Sequence, residues 1–225
     1  MSGVVPVPTR IFHITAIPNL PQIFAAGCLR SKNAVTQAGI QVANIAYSGL
    51  QQKRAVRQIT TGPCGVIHDY VPFYFAPRSP MLMAINTGAV PGCAHRQEHI
   101  VHLESAVQLV SQAGLPYVFF DMHSAVALAQ DYDDLAHLGQ LSWDLICEQP
   151  QLDGYCKYWQ SDINKPKYAR RKEKRQAEFL VHQQFPLRLV TRIGVQNQKA
   201  LNDVNVMLHN SGLAISTQLM PAWYY

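Results

Sequence analysis

The stretch Gln176-Ala177-Glu178-Phe179-Leu180-Val181 places an acidic side chain at the mouth of an apolar, β-like run, directly after the most basic segment of the chain. A carboxylate there has two readings. It is either a solvent-facing glutamate at a strand start, or a group held out over a cleft, where it can stabilise a developing positive charge. Near the other end, alternation along Ile11-Phe12-His13-Ile14-Thr15 puts His13 and Thr15 on one strand face and Phe12 and Ile14 on the other. Two polar groups pointing the same way fit a binding wall, whereas His13 by itself also fits a hydrogen-bonded core histidine. The cations are concentrated: Lys165, Lys167, Arg170, Arg171, Lys172, Lys174 and Arg175 face only Glu173 within residues 165–175. Taking these seven from 19 basic residues and the one from 14 acidic residues leaves 12 against 13, so the net charge of +5 resides in this segment. So local a basicity reads as a strip for an anionic partner, or as a solvated loop that orders on binding one.

The elements that must position these groups are short. Leu20, Ile23 and Phe24 have helical spacing, Gly27 is a natural stop, and Cys28-Leu29 returns as a strand, which together make a compact pocket wall behind His13. Residues 51–57 read as a helical turn carrying Lys53, Arg54 and Arg57, and Thr61-Gly62-Pro63-Cys64-Gly65 breaks the chain. Residues 68–75 form an aromatic strand in which Pro72 predicts an edge or a bulge. Ser79-Pro80-Met81 starts a helix that lasts until Gly88. Beyond it the pattern predicts a strand over 100–103, a helix over 104–113 and a strand over 117–120. Asp121-Met122-His123-Ser124 then leads into weakly amphipathic helices through Ile146. After the basic run come strands over 178–185 and 192–196, a helix over 199–208 and a last strand over 213–219. Short strands mixed with short helices, without a regular βαβ alternation or a glycine-rich phosphate loop, predict an α+β fold with a central sheet.

At 225 residues, 48% of them hydrophobic and 15% charged, the chain is expected to form one domain over 1–225. No run of eighteen apolar residues and no signal-peptide pattern occur, so a soluble, cytoplasmic protein is expected. Five cysteines without a C-x-x-C pair fit free thiols in a reducing compartment. Cys93, His95, His99 and His102 do not have zinc-ligand spacing, and His99 and His102 fall on opposite faces of a strand, so no metal site is expected.

Several of these segments resemble the DarT family of DNA ADP-ribosyltransferase toxins. The resemblance rests on His13-Ile14-Thr15 with Asn19-Leu20 and Gly27, on Ile45-Ala46-Tyr47, and on the block from Gly65 through Phe75 to Pro77-Arg78-Ser79-Pro80-Met81. Ala113-Gly114-Leu115-Pro116, the Gln176–Val181 stretch and Trp223-Tyr224-Tyr225 extend it over nearly the whole chain. It implies an ADP-ribosyltransferase fold, NAD as the ADP-ribose donor, a base of single-stranded DNA as acceptor, and an antitoxin partner whose macrodomain removes the modification. By the same resemblance His13, Thr15, Asn19, Gly27, Leu29, Tyr47 and Arg54 would hold NAD, and Glu178 with Arg54 would be catalytic. Tyr74, Arg78, Met81, His123, Arg171, Lys172, Lys174 and Arg175 would contact DNA.

The chemistry is consistent with that implication. Breaking a nicotinamide–ribose bond builds positive charge on the sugar, which one carboxylate can stabilise, as in glycoside hydrolysis. Tyr47, Phe73 or Tyr74 could stack on nicotinamide. An acceptor atom on a Watson–Crick edge, such as thymine N3, is hidden by pairing, so unpaired DNA is the economical substrate. A guanidinium beside the thymine carbonyl, for which Arg54 is the candidate, would stabilise the imidate as its proton leaves. The alternatives are guanine as the acceptor, RNA or protein as the substrate, and a non-catalytic single-strand-binding module built on Phe73-Tyr74-Phe75.

Overall fold

The computed structural model describes residues 3–149 and 159–225, so Cys156 lies outside the described residues. The first half contains β1 (Arg10–Ala16), α1 (Leu20–Ala26), β2 (Cys28–Arg30), α2 (Lys32–Gln37), α3 (Ser48–Val56), β3 (Tyr70–Tyr74) and α4 (Pro80–Asn86). Then follow β4 (Ile100–Ala106), α5 (Val107–Gln112), β5 (Tyr117–Phe120), β6 (Asp131–Tyr132) and α6 (Trp143–Ile146). The chain closes with α7 (Arg171–Lys174), β7 (Glu178–His182), β8 (Gln184–Pro186), β9 (Arg192–Val195), α8 (Gln198–Asn210) and β10 (Thr217–Leu219).

Eight strands form one sheet in the order β10-β9-β4-β1-β3-β7-β5-β6, and β2 pairs with β8 in a separate two-stranded sheet. Residues directly opposite on paired strands share a face. Ile11, Val71, Phe73, Val101, Leu103, Phe119, Phe179, Val181 and Ile193 therefore line one face, where they join α1, α5, α6 and α8 in the main core. The other face carries two smaller cores. One gathers Phe12, Ile14 and Ala16 with Leu82, Ile85, Trp223 and Tyr224. The other gathers Tyr70, Val118, Phe120 and Leu180 with Ile59, Ile67 and Met122. The register Phe12↔Tyr74, Tyr74↔Glu178, Phe120↔Glu178 leaves Tyr74 and Glu178 on this face, belonging to neither cluster.

The α+β architecture predicted from the pattern holds, with five local differences. Pro72 is on an interior strand, not an edge, because β3 runs between β1 and β7. The proline is tolerated because β1 and β3 are in register only at Phe12↔Tyr74, and the Pro72 carbonyl is taken by the His13 ring at 2.8 Å. A strand residue directs its N and O to the same side, so the missing N–H falls in this seam. β4 extends three residues past Leu103, since Glu104, Ser105 and Ala106 pair with β1 and are buried. The strand expected over 178–185 is two, broken at Gln183, whose φ of 59° turns β8 out of the sheet toward β2. The helices expected between Ser124 and Ile146 include a strand, β6, and shrink to a 3-10 segment at Leu135–Gln140 and one turn at α6, while the last strand is reduced to β10.

Candidate active site

Glu178 opens β7 and is 1% exposed. It lines a cavity, but its carboxylate is not free: it is locked to Arg54, whose Nη1 donates to Oε2 at 2.7 Å and to Oε1 at 3.0 Å. The choice among the crowded cations of α3 is made by the helix face. Arg54 is the buried residue of α3, while Arg57 reaches away to the Ala129 carbonyl at 3.2 Å. Ser124 completes the arrangement, donating its N–H at 3.1 Å and its hydroxyl at 2.7 Å to Glu178 Oε1. Burial pushes the Glu178 carboxyl up, yet the Arg54 guanidinium and the Ser124 hydroxyl hold it below its usual value. His123 lies 3.9 Å away. Burial first of all holds His123 below its ordinary value, so at neutral pH this ring contributes little charge. Tyr74, opposite Glu178 across the ladder, is raised by burial and then by the Glu178 charge, so its phenol stays protonated.

A cavity of about 130 Å³ is lined by Glu178, Arg54, Tyr74, Met81, His13 and, on its far wall, Lys32, Gln51 and His68. A second, of about 160 Å³, is lined by His13, Thr15, Asn19, Leu29 and Arg30. His13 stands between them in the β1–β3 seam. Because a carbonyl only accepts, the bond to Pro72 O fixes the proton on Nδ1. Burial keeps the ring pKa below its ordinary value, so His13 is neutral and offers Nε2 as an acceptor. Thr15 Oγ1 accepts from Asn19 Nδ2 at 3.1 Å, which leaves the Thr15 hydroxyl proton to donate.

The structure thus lines two cavities that share His13 with predicted residues, Thr15, Asn19 and Leu29 in one and Arg54, Tyr74, Met81 and Glu178 in the other. Several predicted residues are engaged in other ways. Asn19 spends its amide on structure, exchanging bonds with Ala43 N at 2.8 Å and Ala43 O at 3.1 Å, and so pins the 40–47 segment beside the second cavity. Gly27 acts through its backbone, capping α1 at φ 65° while its neighbours Ala26 and Cys28 line the cavity. Tyr47 is 43% exposed and donates to the Ala89 carbonyl. It precedes α3, whose inward face carries Leu50, Gln51 and Arg54 instead. Phe73 and Phe75 are buried in the main core, so they offer no stacking surface. Arg171 and Arg175 are held by Glu148 at 2.6 Å and 3.2 Å, and Arg175 also donates to the Leu145 carbonyl. Lys172 remains exposed and Lys174 half-buried. Arg78 lines a third, larger cavity of about 630 Å³ at the end of β3, together with Phe75, Trp143, Arg175 and Trp223.

Ser124, Lys32, Gln51 and His68 were not singled out from the sequence. Asp121-Met122-His123-Ser124 was visible there only as a loop entrance, and the partners of Ser124 lie 54 and 70 residues away. His102 is no metal ligand candidate in this arrangement. Its Nε2 bonds the Pro77 carbonyl at 2.9 Å and burial pushes its pKa down to about 4. Among the described residues no three His, Cys, Asp or Glu side chains are grouped to hold a metal, and Cys28, Cys64, Cys93 and Cys147 are free. Among the described residues no helix is long and apolar enough to cross a membrane.

A buried Arg–Glu pair shares a cavity with His13, and comparison with known proteins identifies the family. The family model "ssDNA thymidine ADP-ribosyltransferase, DarT" matches residues 12–225. The "DNA ADP-ribosyl transferase" of Thermus sp. (strain 2.9) is 39% identical over 227 residues, covering 100% of both chains. The solved structure of Thermus sp. 2.9 DarT in complex with ADP-ribosylated ssDNA superposes with a TM-score of 0.86 at 37% identity over 100% of both chains. That of the same protein in complex with NAD+ gives a TM-score of 0.81 at 35% identity, covering 99% of this chain and 100% of that one. The chain belongs to the DarT family of single-stranded-DNA thymidine ADP-ribosyltransferases.

Proposed function

We propose that this protein transfers ADP-ribose from NAD to thymine in single-stranded DNA, with Glu178 and Arg54 as its catalytic pair. The observation that carries the reading is the buried Arg54–Glu178 pair in the same cavity as His13. Neither of the two small cavities would house a dinucleotide alone, and His13 belongs to both, so NAD would lie across the β1–β3 seam. His13 Nε2 and the Thr15 hydroxyl offer one acceptor and one donor for the hydroxyls of a ribose. Glu178 would meet the ribose that carries nicotinamide, accepting from its 2′-hydroxyl and stabilising the cationic sugar as the glycosidic bond breaks. Nicotinamide leaves with the bonding electron pair, thymine N3 supplies the new pair to C1′, and the N3 proton passes to water. Arg54, beside the thymine carbonyl, would stabilise charge on the imide as that proton departs. Lys172, Lys174 and Arg78 would guide the strand, with Tyr74, Met81 and His123 near the reacting base.

In the chain's own surroundings we further propose an antitoxin partner whose macrodomain removes the modification, a reading supported by the family resemblance. Incubation with labelled NAD and unpaired oligonucleotides tests the activity. Label should enter thymine-containing strands and be absent from thymine-free strands, duplexes, RNA and protein. Transfer to guanine strands would move the acceptor assignment, and no transfer to any base composition would sink the proposal.

A further inference from the structure

Glu178 has two oxygens in unlike settings, and the difference assigns a task to a residue outside the reacting pair. Oε1 accepts the Ser124 N–H and O–H and a longer bond from Arg54, whereas Oε2 accepts from Arg54 alone. The Ser124 hydroxyl has no choice of direction. Arg54 Nη1 donates to Ser124 Oγ at 3.0 Å, and a guanidinium cannot accept, so the single hydroxyl proton goes to Glu178. The loop that carries Ser124 is itself fastened, because His123 N–H bonds the Glu173 carbonyl at 2.9 Å and Val126 N–H bonds the His123 carbonyl at 2.9 Å. His123 does not compete for Glu178, since its Nδ1 accepts from the Ala125 N–H at 3.1 Å and is therefore unprotonated when the ring is neutral. Ser124 is 0% exposed and lies outside every cavity wall described above, so substrate has no route to its hydroxyl.

We infer that Ser124 is a positioning residue for the transfer reaction: it saturates Glu178 Oε1 and so presents Oε2 to the sugar once Arg54 turns toward the acceptor. The inference rests on the catalytic reading of Glu178 given above. In the resting protein Arg54 occupies Oε2, and an oxygen cannot both keep that bond at full strength and accept from a ribose hydroxyl. When Arg54 moves to the base, Ser124 is what remains to hold the carboxylate in its rotamer and ionised. The groups facing Glu178 are Arg54 from α3, Tyr74 from β3 and His123 from its own loop, with Lys32 and His68 across the cavity and Glu173 behind His123.

Ser124→Ala deletes the hydroxyl and keeps the N–H. A hydrogen bond to a charged group supports roughly a tenfold to hundredfold effect, so kcat should fall by that factor while KM for NAD stays within about twofold. The acid limb of the kcat profile should move to higher pH, because the lost bond is one that lowers the Glu178 pKa. Ser124→Thr, which returns the hydroxyl, should recover most of kcat. Should Ser124→Ala not fold, Ser124→Cys carries the same comparison with a weaker donor. A loss confined to KM, an unmoved acid limb or a kcat within twofold of the unsubstituted protein overturns the inference. Carboxyl titration of Glu178 by carbon NMR reads the same positioning without DNA: the pKa should rise in Ser124→Ala, and no rise refutes it. If the unsubstituted protein modifies no strand while that pKa does rise, the functional reading fails and takes the inference with it; no rise in a protein that does modify DNA overturns the inference alone.

Discussion

The sharpest consequence of the site geometry concerns stability as well as activity. In Glu178→Gln the amide keeps the shape of the side chain, and its carbonyl can take the place of Oε1, still accepting both Ser124 bonds. Its NH2 then occupies the place of Oε2, 2.7 Å from an Arg54 nitrogen that can only donate. Arg54, 7% exposed, is left as an uncompensated buried cation. Breaking such a pair by removing one partner costs about 3–5 kcal/mol, which for a domain of this length lowers the melting temperature by roughly 10 °C. Replacing the cation as well, in Arg54→Met with Glu178→Gln, removes the orphaned charge and should restore stability to within about 1 kcal/mol of the starting protein. Thermal unfolding of the two single variants and the double variant gives the interaction energy by a double-mutant cycle. Labelled-NAD transfer should be lost in all three. The recovered stability without recovered activity would mean that the pair is kept for chemistry and adds little to the fold. If Glu178→Gln melts with the unsubstituted protein, or the double variant is no more stable than it, Arg54 is not a buried charge neutralised by Glu178 and the reasoning fails.

Other outcomes follow from other contacts. His102, buried and pushed down to about 4 from an ordinary value of about 6.5, binds a proton in the unfolded chain before it does in the folded one. Its contribution to stability is therefore fully present above pH about 6.5 and is lost as pH falls toward the folded value. His102→Gln should flatten the melting temperature over that window. At Gly194 a Cβ would lie 2.2 Å from the Trp223 ring, so Gly194→Ala should displace the Trp223-Tyr224 segment and lower stability by about 1–3 kcal/mol, measured by denaturant unfolding. Lys172→Ala with Lys174→Ala should weaken single-strand binding and reduce the salt slope by about 1.4, as for two lost phosphate contacts. An unchanged slope would remove both lysines from the strand's path.

What the sequence determined by itself is local. The alternation of Ile11 to Thr15 sufficed to put His13 beside Thr15, Gly27 to stop α1, and Ser79-Pro80 to start α4, because strand period, left-handed backbone and helix capping depend on a few adjacent residues. The pattern of short strands and short helices gave the α+β class, and the motif block from Gly65 to Met81 with the Gln176–Val181 stretch carried the family and with it the catalytic role of Glu178. Tertiary structure decided which side chains meet. Three cations crowd the end of α3; the resemblance named Arg54 among them, but its pairing with a carboxylate 124 residues distant follows from the face that α3 presents. The same applies to Ser124, unremarkable in its loop until β5 and β7 pair and bring it to the carboxylate. It applies in reverse to Arg171 and Arg175, which look free in a basic run and are in fact claimed by Glu148. Charge and periodicity are written along the chain, but the neutralisation of a buried charge is a matter of long-range pairing, and that is fixed only when the sheet closes.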